Sequence, residues 1–301
     1  MGVRRSQRRG PVLRSAAPIA AKDVMAKKAA CVIGWPVEHS RSPLIHGYWI
    51  KEHGLDAEYR REPVRPEAFA DFLSQLATQG YVGANVTVPH KEAALALSTP
   101  DERAMAVGAA NTLWRDGGVL RSTNTDVEGF IANLDASAPG WDRRLRSALV
   151  LGAGGAARAV VFGLLGRGIE RIVLANRRLD RAVSLQRQFG ERVQPAPLSE
   201  ANGRLAEAGL LVNTTSLGMS GQPALAIDVA RLSANAVVVD LVYAPLKTAL
   251  LKAARARGLR AVDGLGMLLH QAVGGFERWF GVRPQVTRAL RTLVEADLIG
   301  A

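Results

Sequence analysis

A chain of 301 residues is about twice the usual ~150 per domain, so two domains are expected. Its 48% hydrophobic and 22% charged residues are globular and hold enough apolar material for two cores. No apolar run reaches the ~18 residues of a membrane-spanning helix, and the single cysteine, Cys31, rules out an internal disulfide and fits a reducing cytosol.

The formal charge of +12 raises the question of a nucleic-acid partner, so its location matters. Residues 1–28 hold eight basic side chains against Asp23 alone, which accounts for seven of the twelve charges. The basic character is thus mostly a tail. Three readings of that tail stay open: an organelle transit segment, a disordered extension, or an over-long start whose true first residue is Met25. Without interleaved aromatics or a binding motif, no nucleic-acid partner is expected.

Order is expected from about Ala29. Ala30 to Gly34 reads as a short buried strand holding Cys31. Ser42-Pro43 reads as a helix start, with serine as N-cap and proline at the first helical position; Gly54 reads as its stop. The spacing of Ala68, Phe69, Phe72, Leu73 and Leu76 predicts a helix over Pro66–Gln79, closed by Gly80. Val82–Val88 reads as a strand, Lys91–Leu97 as a short helix, and Thr112–Ser122 as a hairpin around Asp116-Gly117-Gly118. Ala148–Leu151, Arg171–Ala175, Leu210–Val212 and Val237–Val239 are strands apolar on both faces and separated by helices. That pattern predicts a parallel sheet covered on both sides. Gly264–Ile299 reads as helix in two pieces, broken near Gly281–Pro284.

The glycine-rich run Gly152-Ala153-Gly154-Gly155-Ala156-Ala157 lies between an apolar strand and a helix, the setting in which such a run binds a dinucleotide. Gly152 allows the tight turn, Gly154 lets backbone approach a pyrophosphate, and Ala157 allows close helix–strand packing. The helix N-terminus offers free N–H groups to phosphate. At the end of the next strand an NAD site places a carboxylate. Here Asn176, Arg177 and Arg178 stand instead, with Arg181 a turn later. Guanidinium groups suit a 2′-phosphate, so NADP(H) is the expected cofactor.

Polar residues cluster where loops leave the strands of the first half. Ser40 and Ser42, before a helix N-terminus, suit a carboxylate. Asn85, Thr87 and Asn111 suit hydroxyls. Lys91 can protonate an alkoxide, and Asp126 can orient it. Taken singly, Ser42 and Asp126 also read as N-caps and Lys91 as a solvated helix lysine. His39, His46 and His53 recur every seven residues, not the spacing of a zinc pair, and no metal is expected.

Together these segments resemble the shikimate dehydrogenase family, in family order from about residue 29 to the C-terminus. They run through Asn85–Lys91, Gly108–Thr112, Asn124–Asp126, Gly152–Arg158, Asn213–Met219, Asp240–Pro245 and Asp263–Gln271. The resemblance implies an α/β fold: a substrate-binding and catalytic domain of residues 29–126 and 263–301, a Rossmann-type NADP domain of residues 127–262, and a cleft between them. It implies NADPH-dependent, reversible reduction of 3-dehydroshikimate to shikimate on the route to aromatic amino acids, in the cytoplasm, by a monomer or homodimer. Lys91 and Asp126 are then the catalytic pair. Ser40, Ser42 and Tyr243 hold the carboxylate, and Thr87, Asn111 and Gln271 the ring hydroxyls. Thr214, Ser216, Met219, Gly264 and Met267 join the cofactor site. Two positions depart from the family: Gly47 replaces an asparagine, and Arg178 replaces a threonine and adds charge at the 2′-phosphate site. Action on quinate, or on both acids, is the alternative; a non-catalytic NADP-sensing module is a remoter one, at odds with an intact Lys91 and Asp126.

Overall fold

The computed structural model describes residues 27–300 together with the first two residues, so the readings of the basic tail, with its candidate start at Met25, lie outside the described residues. Within these, two six-stranded sheets organise the chain. The first is built from β1 (Lys28–Gly34), β2 (Ala57–Pro63), β3 (Tyr81–Val86), β4 (Thr99–Pro100), β5 (Thr112–Asp116) and β6 (Val119–Thr123). Its order is β2-β1-β3-β5-β6-β4; β1 pairs in parallel with β2 and β3, and β5 pairs antiparallel with β3 and β6. Helices α1 (Ser42–Glu52), α2 (Phe69–Ser74), α3 (Lys91–Ala96) and α4 (Glu102–Val107) connect these strands.

Helix α5 (Asp126–Ser137) leads into the second sheet: β7 (Ser147–Leu151), β8 (Arg171–Asn176), β9 (Val193–Pro197), β10 (Leu210–Asn213), β11 (Val237–Asp240) and β12 (Arg260–Val262). These strands are parallel throughout, in the order β12-β11-β10-β7-β8-β9. Read from β9, that is the 3-2-1-4-5-6 order of a dinucleotide-binding sheet, with its switch point between β7 and β10. Helices α6 (Gly155–Gly166), α7 (Leu179–Phe189) and α8 (Ala249–Ala256) cover it, and α9 (Gly264–Phe280) and α10 (Arg288–Gly300) end the chain.

The continuous apolar strands follow from burial on both faces. Along β7, Ala148 and Val150 point into one core with Val160 and Leu164 of α6, while Leu149 and Leu151 point into the other with Leu211 and Val238. The same alternation splits β1: Ala30 and Val32 pack with Trp49, whereas Cys31 and Ile33 pack with Phe69 and Leu73. Burial pushes the Cys31 thiol up, as its apolar neighbours imply. From the far end of the chain, Leu265, Leu269, Phe276 and Trp279 of α9 fill the first of these β1 cores, and Trp279 Nε1 donates to Leu113 O at 2.8 Å.

Most expected elements form. The hairpin turns at Gly117 and Gly118, both with positive φ. The helix expected over Pro66–Gln79 is shorter: after one 3-10 turn it runs Phe69–Ser74, and its end tightens as Gln75 and Leu76 donate to Phe72 O and Leu73 O. Ser42 is not the N-cap of α1. Arg41 holds that position without a side-chain cap, and Ser42 and Pro43 are the first helical residues. Among the described residues, no helix is long and apolar enough to cross a membrane.

Candidate active site

The polar centre of the first sheet lies where β3 and β5 run side by side. Asn85 pairs with Thr112 in register and donates from Nδ2 to Thr112 Oγ1 at 3.2 Å. Asn111, just before β5, accepts from the Thr125 backbone N–H at 2.8 Å and donates to Asp126 Oδ1 at 2.9 Å. Its amide also lies 3.4 Å from Gln271 Oε1 on α9, so three distant parts of the chain meet on one side chain. Asp126 opens α5 without capping it; Thr125 is the N-cap residue, and the N-cap reading of Asp126 falls. The second Asp126 oxygen pairs with Lys91 Nζ, and the two side chains are 7% and 15% exposed. So enclosed a carboxylate needs its partners, and here it has a cation and an amide.

Lys91 is aimed by what precedes it. The ring of His90 stacks on Phe69 at 4.3 Å, its Nε2 lies 2.7 Å from Val64 O, and burial lowers its pKa. Lys91 O accepts from Ala110 N–H at 2.9 Å, which ties α3 to the segment bearing Asn111. The lysine stem then crosses to the second sheet: a Cβ placed on Gly155, at the start of α6, would stand 3.2 Å from Lys91 Cδ. The expected proton donor and the expected cofactor loop are therefore neighbours.

That loop sits at the switch point. Gly152 follows β7 with φ +103, a conformation that favours glycine, and a Cβ there would press on Thr214 Oγ1 at 2.6 Å. Thr214, following β10, donates to Leu151 O at 2.7 Å and so closes the crevice floor. Gly154 has open space where its Cβ would be. Ala153 is buried, and Gly155 and Ala156 begin α6, whose first N–H groups face outward from the sheet's C-terminal edge. Asn176 ends β8 and its amide donates to Arg178 O at 2.7 Å, which shapes the turn that presents Arg177, Arg178 and Arg181 to solvent. Ser216 and Met219 are exposed on the loop after β10, and Met219 N–H donates to Ser216 O at 3.1 Å. Gly264 and Met267 start α9 against the Leu241 backbone and the core of the parallel sheet. These residues fit a dinucleotide: an open glycine turn, free helix N–H groups, and cations at the strand end where a 2′-phosphate lies.

The remaining expected residues follow the ends of β1, β3 and β11. Ser40 is half-buried and Ser42 buried at the start of α1, and Thr87 follows β3 with its N–H bound to Ile33 O at 2.9 Å. Tyr243, beyond β11, packs with the first sheet's core, where burial pushes its phenol up against the opposing charge of Arg41. Tyr59 went unrecognised in the sequence. Its hydroxyl donates to Asn85 Oδ1 at 2.6 Å and extends the polar network to β2. Its signal was weak, an alternation of Ala57, Tyr59 and Arg61 interrupted by charge.

Three family profiles match the chain: a shikimate dehydrogenase substrate-binding domain over residues 32–113, a shikimate/quinate 5-dehydrogenase domain over 140–241, and a shikimate 5′-dehydrogenase C-terminal domain over 264–293. Shikimate dehydrogenase (NADP(+)) of Rhodopseudomonas palustris strain TIE-1 is 67% identical over 272 residues, spanning 90% of this chain and 98% of that protein. Its counterpart in Nitrobacter winogradskyi is 65% identical over 272 residues, spanning 90% and 97%. Among solved structures, a quinate dehydrogenase from Corynebacterium glutamicum in complex with NAD aligns with TM-score 0.83 at 32% identity, covering 90% of this chain and 99% of that one. A shikimate 5-dehydrogenase from Thermus thermophilus in complex with NADP(H) and shikimate aligns with TM-score 0.78 at 35% identity, covering 90% and 98%. With this identity over nearly the full length of its relatives, and with family profiles matching both halves, the chain belongs to the shikimate dehydrogenase family.

Proposed function

We propose that this protein catalyses the NADPH-dependent, reversible reduction of 3-dehydroshikimate to shikimate in the cytoplasm. The observation that carries this reading is the enclosed Lys91–Asp126 pair, packed directly against the first residue of the glycine-rich helix. Residues 29–126 and 263–301 form the substrate-binding and catalytic domain, and residues 127–262 the NADP-binding domain.

The reduced dinucleotide, when bound, supplies a hydride. Gly152, Gly154 and the start of α6 hold its pyrophosphate, and Asn176, Arg177, Arg178 and Arg181 take the 2′-phosphate. Lys91, beside the start of the glycine-rich helix, is the group that would deliver a proton from Nζ to the substrate's carbonyl oxygen as negative charge grows there. Asp126 keeps that ammonium aimed. Asn111, itself fixed by Thr125 and Gln271, holds Asp126 from the other side and bonds a ring hydroxyl. Thr87 and Gln271 bond the other hydroxyls, and Ser40, Ser42 and Tyr243 receive the carboxylate.

The arginines at the end of β8 also favour NADP(H) over NAD, the dinucleotide bound in the Corynebacterium relative that acts on quinate. Rates of reduced-nicotinamide formation with shikimate or quinate, each against NADP and NAD, test both choices. Shikimate with NADP as the best pair supports the proposal, and faster turnover of quinate overturns it.

A further inference from the structure

The turn that carries Ser40 and Ser42 is clamped from two sides. From β2, Arg61 Nε and Nη2 both donate to Ser40 O, at 3.0 and 2.8 Å. From α10, Asp297 Oδ2 lies 2.5 Å from Arg41 Nε, while Arg41 Nη1 donates to His39 O at 3.2 Å. Within the turn, Ser42 N–H donates to Ser40 Oγ at 3.3 Å and Ser40 N–H to Val37 O at 3.0 Å. The His39 and Ser40 carbonyls are thus each held by a guanidinium, the first by Arg41 within the turn and the second by Arg61 from β2.

Two donors on one carbonyl oxygen fix the plane of the Ser40–Arg41 peptide. That peptide is trans, so turning its carbonyl toward β2 turns the Arg41 N–H to the opposite side. Among the described residues that N–H has no acceptor. It therefore stands beside the two serine hydroxyls as a further donor for an anion at the start of α1. The charges differ in their balance. Arg41 is paired by Asp297 and Arg60 by Glu58, whereas among the described residues Arg61 engages only the Ser40 carbonyl. Its positive charge is left to act on whatever the turn binds.

We propose that Arg61, on the side of the turn opposite the Arg41–Asp297 pair, is a positioning residue that shapes the Ser40–Ser42 turn for a carboxylate and biases the site toward anionic substrates. The proposal rests on the reading of Ser40 and Ser42 as carboxylate holders. Arg61 acts through the peptide it holds. Because its side chain is exposed, the effect is modest, about three- to tenfold in KM.

The test uses the full chain with Arg61→Gln, Arg61→Lys, Asp297→Asn and the pair Ser40→Ala and Ser42→Ala, assayed for turnover of shikimate with NADP. Arg61→Gln should raise KM for shikimate about three- to tenfold, with kcat within about twofold and NADPH affinity unchanged. Its kcat/KM should also fall less steeply with ionic strength than that of the unsubstituted protein, since the screened charge is gone. Arg61→Lys should recover part of the loss, and Asp297→Asn should raise KM by a smaller factor. Serine variants with raised KM beside a silent Arg61→Gln would overturn the role of Arg61 alone. Serine variants with unchanged KM would overturn the carboxylate reading and this proposal with it. A loss of kcat and thermal stability in Arg61→Gln, with KM and salt dependence as in the unsubstituted protein, would reduce the clamp to scaffolding.

Discussion

Removing either member of the Lys91–Asp126 pair has different consequences for stability, although both removals strike the same chemistry. In Lys91→Ala the Asp126 carboxylate stays behind, 7% exposed, with the Asn111 amide at 2.9 Å as its remaining side-chain partner. Such a stranded charge costs about 2–3 kcal/mol of folding stability. In Asp126→Ala the longer lysine, 15% exposed at the mouth of the cleft, can turn its ammonium to water, so about 1 kcal/mol is expected. The double variant leaves no unpaired charge and should be less destabilised than the sum of the singles by about 1–2 kcal/mol. For turnover, each single change should lower kcat by ~10²–10⁴-fold, the span of acid–base groups. The double should fall far short of the product, because groups that act as one unit are not additive. Denaturant unfolding and steady-state kinetics on the three variants, with a titration of NADPH, measure both cycles. Strictly multiplicative losses would show that the residues work independently, and an active Lys91→Ala protein would remove the lysine from the reaction.

Arg177→Ala should weaken NADPH binding by about 1–3 kcal/mol and leave NADH nearly unaffected, as read by fluorescence titration; equal losses would contradict the 2′-phosphate assignment. Gly83→Ala should cost about 3 kcal/mol or more, because the new Cβ would overlap Trp279 Nε1 and Leu113 O and break the bond between them; an unchanged thermal midpoint would refute that packing. Burial lowers the pKa of His46 from 6.5 to about 3, so the folded protein refuses a proton that the unfolded chain accepts below pH 6.5. The stability it supports is full above that pH and declines by about 1.4 kcal/mol per unit as pH falls toward 3. His46→Phe should reduce proton uptake on unfolding by about one between pH 6 and 5, roughly a unit below the titration onset, and an unchanged slope would disprove it.

What the sequence revealed tracks how strongly local chemistry constrains each segment. Ala148–Leu151 and Val237–Val239 could be read as strands because both faces are buried, and Gly117-Gly118 because two successive residues adopt positive φ. Edge strands hid. β2 carries Glu58, Arg60 and Arg61 toward solvent, and β9 contains Pro195 and Pro197, which a sheet tolerates only at its rim. Strand β12 is three residues long, too short for any period to show. Ser42 looked like an N-cap because serine before proline often is one, yet the helix begins a residue earlier, which leaves its hydroxyl available. At the site, the glycine turn and the arginines after β8 were legible from their setting. The union of Lys91 with Asp126, 35 positions apart, was expected from the chemistry of the two side chains and from the resemblance; the β3–β5 pairing that brings them together is a non-local register with no signal of its own. The contact of Lys91 with Gly155 had no local signal at all.

That contact depends on how the two sheets are joined, and the joint is a crossing of helices α5 and α9. A Cβ on Gly129 of α5 would stand 2.7 Å from Gln271 Cβ and 2.8 Å from Met267 O, and one on Gly266 of α9 would overlap the Asn133 side chain. Glycine on each helix therefore lets the backbones approach where any side chain would hold them apart. Asn133 Nδ2 secures the crossing by donating to Asp263 O at 2.7 Å, and Asp263 in turn caps α9 through Leu265 N–H at 3.1 Å. The helices divide their other contacts: Phe130 and Leu134 of α5 pack into the core of the parallel sheet, while Leu269 and Phe276 of α9 pack into that of the mixed sheet. Asp126 begins the first of these helices and Gln271 lies mid-way along the second, and both meet Asn111. The joint that sets the two sheets against each other thus also sets the distance between the Asp126 carboxylate and the Gln271 amide. A backbone crossing that no side chain could enter without moving the helices thus holds the two ends of the Asn111 network in place.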